Sequence, residues 1–302
     1  MSLFDTLVVK TLPLTPKAIV RRFAARYVAG ETLDQAMATV ERLRGWGAMA
    51  TIDVLGEDIT RFEESLPTRD AYLAVLDEIK KRGVAANVSV KLTAFGLRQD
   101  DEGTYRNVRA VVERALAAGN FVRIDMEDAT VTTKTLDIFR RLRADGFRNV
   151  GVVLQAYLKR TLADVVSLGS LSPVANYRLC KGIYVESADV AIKDPLEINR
   201  NYLKVLETML DGGSYVGIAT HDRRVVAGAQ EIIKRLGLTP DRYEFQMLLG
   251  VEEGLGRELV AAGHRLRIYV PYGKDWYAYC MRRLKENPRI ARYVIAALFK
   301  AS

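Results

Sequence analysis

Hydrophobic residues follow two alternating patterns along most of this chain. In one pattern, short runs are almost continuous and rich in β-branched residues, which is typical of strands buried on both faces. In the other, apolar residues recur three and four positions apart, as on one face of a helix. The first pattern predicts strands at Met49–Leu55, Asn87–Leu92, Phe121–Met126, Val150–Tyr157, Tyr177–Val185, Tyr215–Thr220, Tyr243–Leu248 and Leu266–Val270.

Helical spacing occupies the segments between these strands, for example Thr104–Ala118 and Leu136–Ala144. Eight strands that alternate with helices, at intervals of roughly 25 to 38 residues, predict an α/β fold of the (βα)8 TIM-barrel type. A doubly wound open sheet is the main alternative. That fold would be expected to carry a glycine-rich phosphate turn after its first strand, and no such turn follows Met49–Leu55.

Two further helices are predicted ahead of the first strand. Ala18–Val28 mixes apolar and basic residues and stops near Gly30, and Thr32–Arg44 stops near Gly45. We therefore predict that residues 1–48 form N-terminal helices packed on the barrel and that residues 49–302 form the barrel itself.

The composition narrows the chemistry that the chain can perform. Among 302 residues there are only two cysteines and two histidines, which argues against a disulfide framework, a His-rich metal site and a His-based nucleophile triad. The net charge of +8 includes no Lys/Arg run of the kind that binds nucleic acid, and solvated helix faces explain most of it. No signal-peptide pattern and no apolar run of about 20 residues is present, so we expect a soluble or at most peripheral protein.

Polar residues recur in the predicted strands and at their carboxyl ends, where barrel enzymes place their active sites. Because a polar group inside an apolar strand is costly unless it is paired or holds a ligand, we expect a functional pocket at this end. In chain order these residues are Lys91, Asp125 to Asp128, Gln155, Tyr157, Arg178, Lys181, Tyr184, Thr220, His221, Asp222, Glu244, Gln246, Arg267 and Tyr269.

The segment after the eighth strand is the most informative. Asp275 can cap a helix on which Tyr279 and the pair Arg282 and Arg283 share a face, with Glu286 one turn further on to hold a guanidinium. Paired arginines suit a carboxylate ligand because the planar guanidinium donates two parallel hydrogen bonds. An exposed basic helix with ordinary ion pairs explains this pattern equally well.

Several motifs occur in one order along the chain and resemble those of the proline dehydrogenase family, in its short monofunctional bacterial form. They are YRLCKGIY (177–184), ATHD (219–222), EFQML (244–248), RIYVPYG (267–273) and DWYAYxxRR (275–283). The resemblance runs from about Thr51 to Glu286. Any one of these motifs would be weak evidence, but together they are specific.

The resemblance implies a distorted (βα)8 barrel that holds non-covalent FAD at the carboxyl ends of its strands. L-proline would be oxidised to Δ1-pyrroline-5-carboxylate by hydride transfer to the flavin N5, the first step of proline catabolism to glutamate. A membrane quinone would reoxidise the flavin, and nucleic acid would play no part. The family also implies a cytoplasmic protein and leaves open a peripheral contact with the inner face of the cell membrane.

Carried over position by position, the resemblance also assigns residues to roles. Asp125 and Arg178 would be catalytic, with Asp125 beside the substrate and Arg178 beside the flavin N5, and Glu286 would orient an active-site arginine. Ile183 departs from the family, in which a smaller alanine is common. Substrate contacts are implied for Lys91, Leu248, Tyr269, Tyr279, Arg282 and Arg283, and cofactor contacts for Met126, Gln155, Arg178, Lys181, Gly182, Ile183, Thr220 and His221.

Two other functions remain open on the residues alone. Lysines at strand ends, Lys91 or Lys181, could form a Schiff base in an aldolase-type barrel, although that chemistry does not account for the Tyr/Arg helix. A non-catalytic basic barrel that binds acidic surfaces is the other alternative, and only the net charge supports it.

Overall fold

Eight parallel strands close into a barrel in which each strand pairs with its neighbours in chain order. The computed structural model describes residues 21, 24–56, 59–171, 174–277 and 279–281. The (βα)8 prediction is confirmed, and the open-sheet alternative is excluded because β1 pairs with β8. The strands are β1 (Met49–Val54), β2 (Ala86–Val90), β3 (Val122–Ile124), β4 (Val150–Gln155), β5 (Asn176–Cys180), β6 (Tyr215–Ala219), β7 (Tyr243–Leu248) and β8 (Leu266–Tyr272).

Helices surround the barrel. The first begins after Thr32, whose side chain and Gln35 form a capping box, and it packs against β1 and β8. The helices are α1 (Leu33–Arg44), α2 (Ser65–Arg82), α3 (Asp101–Ala117), α4 (Thr132–Ala144), α5 (Thr161–Leu168), α6 (Pro195–Asp211), α7 (Arg223–Arg235) and α8 (Glu253–Ala261). Single 3-10 turns lie at Phe62–Glu64, Leu92–Phe95 and Pro240–Arg242.

The main hydrophobic core lies between the barrel and these helices. Outward-facing side chains such as Val88, Val122 and Val152 are completely buried there. The structure describes residues 21 and 24–28 of the predicted helix Ala18–Val28, and residues 24–27 are helical. The division of the chain at residue 48 stays a prediction.

A second, smaller hydrophobic cluster joins the N-terminal segment to the helix after β8, of which the structure describes residues 276, 277 and 279–281. Tyr27 and Val28 pack there with Leu55, Tyr279 and Met281. The backbone amide of Ala29 donates to Pro271, and that of Gly273 donates to Gly30. The segment before α1 is therefore fixed to the chain that leaves β8.

Predicted and observed strand ends differ most in β5. The predicted strand reached Val185, but the observed one stops at Cys180 because Gly182 takes a left-handed conformation with φ +108°. Strand β8 is longer than predicted, because its pairing with β1 continues beyond Val270 through Pro271 to Tyr272.

The prediction that all the polar strand residues meet at the carboxyl end is wrong for Glu244 and Arg267. Both lie near the amino-terminal ends of their strands, where Arg267 Nε donates to Glu244 Oε1 at 2.6 Å and Arg267 Nη1 donates to the Ala50 carbonyl at 2.8 Å. This pair fills the floor of the barrel. Side chains that point inward from one strand occupy successive layers, so a polar residue in a strand is not always part of a pocket.

The floor pair gives the barrel a pH-dependent stability. Burial raises the pKa of Glu244, but the Arg267 charge and hydrogen bonds from Arg267, Gln246 and Tyr215 outweigh it and hold the pKa at about 2, against 4.5 ordinarily. Because the folded pKa is depressed, this stabilisation is present above pH 4.5 and is lost as the pH falls toward 2.

Replacing Glu244 by glutamine is therefore expected to lower the free energy of unfolding by about 3 kcal/mol at pH 7. The difference from the parent protein should shrink as the pH falls from 4.5 toward 2, because Glu244 of the unfolded parent is protonated over this range while the folded carboxylate is still ionised. Urea unfolding over a pH series measures both quantities. Glu258→Gln, which removes an exposed partner of Arg223, is the control and should have a much smaller effect. A difference that stays constant down to pH 2 would contradict this account.

Candidate active site

A cavity of about 430 Å³ opens at the carboxyl ends of the strands. Its size is in the range of small-molecule and cofactor sites. Its walls come from the ends of β2 to β8, from the loops that follow them and from Tyr279 in the helix after β8. The lining residues are Lys91, Asp125, Met126, Val153, Gln155, Arg178, Cys180 to Tyr184, Ala219 to Asp222, Gln246 to Leu248, Tyr269 and Tyr279.

Lys91 supplies a positive charge to one wall of this cavity. Its ammonium donates to Asp53 Oδ1 at 2.7 Å and to the Tyr269 hydroxyl at 3.1 Å. Asp53 is completely buried, and it also accepts a hydrogen bond from Tyr72 at 3.3 Å. The contact with this buried carboxylate fixes the Lys91 ammonium in one position.

Asp125 connects Lys91 to a second cation. One carboxylate oxygen accepts from Arg178 Nη1 at 2.7 Å and from the Ser89 hydroxyl at 2.6 Å, and the other accepts from the Tyr269 hydroxyl at 2.9 Å. The Lys91 ammonium lies 3.9 Å from Asp125. Two cations and their bridging carboxylate thus form one rigid polar wall, which suits an anionic ligand group.

Tyr269 remains a neutral hydrogen-bond donor in this wall. Burial, together with the nearby charges of Asp125 and Asp53, raises its pKa well above the ordinary value of 10. Its ring lies under both cations, with the Arg178 guanidinium carbon 5.4 Å and the Lys91 ammonium 5.8 Å from the ring centre. The ring therefore adds an aromatic surface beside the two positive charges.

Gln155 presents an acceptor that has no partner among the described residues. Its Nε2 donates to the carbonyls of Met126 at 3.0 Å and Glu127 at 3.3 Å, which fixes the amide orientation. Its Oε1 is buried without a donor. Since a buried orphan acceptor is costly, this oxygen suits an N–H group of a ligand.

On the β6 side, His221 and Asp222 organise a further part of the cavity wall. The Leu248 amide donates to His221 Nε2 at 2.9 Å, which places the imidazole proton on Nδ1. Asp222 accepts from Lys181 at 2.6 Å and from the Arg224 amide at 2.9 Å. Burial raises the Asp222 pKa, but these hydrogen bonds and one from Asn199 outweigh it and lower the pKa to about 2, so Asp222 stays ionised.

Cys180 is the one cysteine that lines the cavity, and it is not a nucleophile of the activated kind. Burial raises the pKa of its thiol to about 11, although the Arg178 charge acts in the opposite direction. The Cys180 Sγ lies 3.7 Å from the Leu154 carbonyl. At neutral pH it is a thiol, and thiolate chemistry is not what this cavity offers.

Gly182 lets the backbone pass close to Tyr157 at the cavity edge. A Cβ at this position would lie 2.0 Å from the Tyr157 ring, and that ring is itself buried. Gly182→Ala is therefore expected to lower the melting temperature, through about 1–3 kcal/mol of backbone strain and an additional steric clash. Gly146→Ala is the matched control, because its φ of +95° is similar but a Cβ there meets nothing within 4 Å. Equal losses of melting temperature in the two variants would contradict the steric argument.

The predicted site residues that the structure describes all lie on this cavity. They are Lys91, Asp125, Met126, Gln155, Arg178, Lys181, Gly182, Ile183, Thr220, His221, Leu248, Tyr269 and Tyr279. Arg282, Arg283 and Glu286 lie outside the described residues. What each residue would contact in a bound ligand stays a prediction.

Sequence reasoning missed Asp53 and Ser89, which position Lys91 and Asp125. Asp53 could have been found, because it is the one charged residue in an otherwise apolar strand. Ser89 carries no such signal, since small hydroxyl side chains are common in strands.

Comparison with known proteins gives the family. A model described as proline dehydrogenase matches residues 36–294. The chain is 37% identical over 281 residues to a proline dehydrogenase of Deinococcus radiodurans, covering 92% of this chain and 90% of that one. The chain belongs to the proline dehydrogenase family. A second relative, proline dehydrogenase 1 of Bacillus subtilis, is 36% identical over 96% of each chain.

A solved structure supports the same family. Proline utilization A from Bdellovibrio bacteriovorus, inactivated by N-propargylglycine, superimposes with a TM-score of 0.82 at 25% identity. The match covers 88% of this chain but only 32% of that chain. The predicted similarity to the short monofunctional members of this family is confirmed by the two relatives, because the matches cover 90% and 96% of their lengths.

Family membership makes the chain an oxidoreductase, so the non-catalytic alternative loses its support. Within the described residues, no three or more His, Cys, Asp or Glu side chains are grouped to hold a metal ion. In the same part of the chain, no helix has both the length and the apolar character needed to cross a membrane.

Proposed function

We propose that this protein oxidises L-proline to Δ1-pyrroline-5-carboxylate with a non-covalent FAD in the cavity, and passes the electrons to a membrane quinone. The observation that carries the proposal is the polar wall of Lys91, Asp125, Arg178 and Tyr269, in a cavity of a proline dehydrogenase family member. Two fixed cations suit both a substrate carboxylate and negative charge that develops nearby during a redox reaction.

The cavity residues fit a flavin. The orphan Oε1 of Gln155 can accept from an N–H group of an isoalloxazine ring, and Gly182 allows a close approach of the backbone. Lys181, held by Asp222, offers a donor further along the cavity, and His221 lines the same part of it. When bound, FAD would supply the two-electron acceptor, with N5 as the atom that receives the hydride.

The chain's own residues would position the substrate. Lys91 would bind the proline carboxylate, and Leu248, Tyr269 and Tyr279 would enclose the ring. Proline would lose a hydride from Cδ, the ring carbon beside nitrogen that does not carry the carboxylate, and a proton from nitrogen. The C=N bond of the product forms between Cδ and nitrogen. Orientation and electrostatics are therefore the main tasks of the protein, which agrees with a cavity that has no activated nucleophile.

The remaining substrate contacts come from the resemblance alone. Arg282 and Arg283 would complete the carboxylate site with Lys91, and Glu286 would orient one of them. Arg178 would lie beside the flavin N5, and Asp125 would lie near the substrate, alongside Lys91. A peripheral membrane contact would bring the flavin near its quinone acceptor.

The geometry disfavours the Schiff-base alternative. A Schiff-base lysine must lose its proton, but Lys91 lies 2.7 Å from Asp53 and Lys181 lies 2.6 Å from Asp222. Each lysine nitrogen is thus bound by a carboxylate rather than directed at a substrate carbonyl. Borohydride treatment in the presence of a carbonyl substrate should therefore leave both lysines unmodified, as judged by mass spectrometry.

A product assay tests the proposal. Purified protein supplied with FAD, L-proline and a short-chain quinone should form a product that is lighter than proline by two hydrogens, together with the quinol. D-proline and L-alanine are the controls for the shape of the substrate site and should react much more slowly. Flavin-loaded protein that leaves L-proline unchanged with the quinone present would refute the proposal.

A further inference from the structure

We propose that Gln246 is a positioning residue that holds the guanidinium of Arg178 in its working orientation. Gln246 lies in β7, and its Oε1 accepts from Arg178 Nε at 2.5 Å. Its Nε2 donates in the opposite direction, to Glu244 Oε1 at 2.6 Å. The amide thus joins the cation of the cavity wall to the ion pair in the barrel floor.

Glu244 determines which way the Gln246 amide faces. Both oxygens of Glu244 accept hydrogen bonds from Arg267, at 2.6 and 3.0 Å, and Tyr215 donates to one of them at 2.9 Å. Glu244 is buried and ionised, so it can only accept. The NH2 group of Gln246 must therefore point to Glu244, which leaves its oxygen for Arg178.

Space for this amide exists because β6 carries a glycine beside it. Gly217 pairs in register with Glu244, and a Cβ on Gly217 would lie 2.4 Å from Gln246 Nε2. A side chain at position 217 would displace the amide. The position of Gln246 thus depends on two features that lie outside the cavity, the Glu244 carboxylate and the glycine.

The contact with Gln246 determines which guanidinium nitrogens of Arg178 can bind Asp125. Arg178 contacts that carboxylate through Nη1 alone, while Nε is held by Gln246. Across the described residues, Nη2 of Arg178 has no acceptor, and Arg178 lines the cavity. Without Gln246, the guanidinium could rotate into a two-nitrogen contact with Asp125, which would neutralise more of its charge and turn Nη2 away from the cavity.

This inference rests on the proposed function insofar as a flavin occupies the cavity beside Arg178. A cation held there stabilises the negative charge that a flavin gains on reduction, and so raises its midpoint potential. Loss of the Gln246 contact is expected to make that potential more negative. A merely structural role would lower the melting temperature and leave the potential unchanged.

The test uses full-length protein reconstituted with FAD and three variants. Gln246→Met removes the amide, Gly217→Ala displaces it, and Tyr215→Phe removes a different hydrogen bond to the same Glu244. Midpoint potentials are measured by reductive titration, which needs no proline, and anaerobic reduction by L-proline is followed separately. Gln246→Met and Gly217→Ala should show more negative potentials and reduction about 10- to 100-fold slower, while Tyr215→Phe should match the parent in both.

An unchanged midpoint potential in Gln246→Met, or an equal shift in Tyr215→Phe, would overturn the inference. If Gln246→Met fails to fold, Gly217→Ala decides by the same criterion. A shifted potential combined with a parent protein that proline does not reduce would sustain the role of Gln246 and refute the proposed substrate. Failure of the folded parent protein to bind FAD would refute both.

Discussion

Arg178→Met is expected to slow the reduction of bound flavin by L-proline by about 10²- to 10³-fold, the effect of removing one fixed charge-stabilising donor. Arg178 is buried, and its guanidinium donates to Asp125, Ser89 and Gln246. Its charge is therefore fixed before the reaction begins, and little reorganisation is needed when negative charge appears on the flavin. The loss should fall on kcat, because the carboxylate site around Lys91 is left in place. Anaerobic stopped-flow absorbance measures the step directly.

Arg178→Lys is the control for charge alone. An ammonium keeps the positive charge but cannot reach Gln246, Ser89 and Asp125 at once, since it lacks the planar fork of nitrogens. The lysine variant should recover only part of the rate. Full recovery would show that position is unimportant, and a methionine variant with a normal kcat would contradict the role given to Arg178.

Lys91→Met is expected to raise the KM for L-proline by about thirtyfold or more, corresponding to roughly 2–5 kcal/mol for a buried, hydrogen-bonded charge. The substitution removes the cation that would meet the substrate carboxylate and leaves the Asp53 carboxylate buried beside a methyl group. A lower melting temperature should therefore accompany the higher KM. Steady-state kinetics over a wide range of proline concentration, together with thermal unfolding, measures both.

Lys181→Met is the matched control for Lys91. Both lysines line the same cavity and both are paired with an aspartate, at 2.7 Å for Lys91 and 2.6 Å for Lys181. The Lys181 variant should weaken FAD binding and leave the KM for proline close to that of the parent. Equal increases of KM in the two variants would mean that general electrostatics, rather than a carboxylate contact at Lys91, controls substrate binding.

The barrel could be predicted from the sequence because its strands are buried on both faces and its helices on one. These two kinds of burial give hydrophobic residues different spacings along the sequence. Strand β7, for example, was predicted with its observed bounds, Tyr243–Leu248. The end of β5 was not, because the apolar run continues through Ile183 and Val185 after the ladder has stopped. Val185 is fully exposed, so its hydrophobic character reports nothing about a strand.

The candidate site was predictable where a polar side chain follows the last paired residue of a strand, as Lys91 and Asp125 do. Inside the strands, the polar pattern alone did not separate cavity residues such as Arg178 from floor residues such as Glu244. Glu244 and Gln246 point into the barrel from the same strand, yet the first lies in the floor and the second against Arg178. Which layer a residue occupies depends on the stagger between neighbouring strands, and that stagger is a property of the closed barrel rather than of any one segment.

The functional part of the prediction came from motifs and not from the hydrophobic pattern. Polar strand ends indicated a pocket, but they did not distinguish a flavin enzyme from a Schiff-base aldolase. Asp53 and Asp222 bear on that distinction, because each binds the side-chain nitrogen of one of the two candidate lysines. Neither partnership was visible before the strands were placed side by side.

The central claim is that L-proline delivers its electrons to a flavin in this cavity. Its most direct test is the visible spectrum of the FAD-loaded protein, recorded without oxygen before and after the addition of L-proline. The yellow flavin band should bleach with proline and return when a quinone is added. A flavin band that persists under proline, in protein that dithionite can still reduce, would contradict the claim.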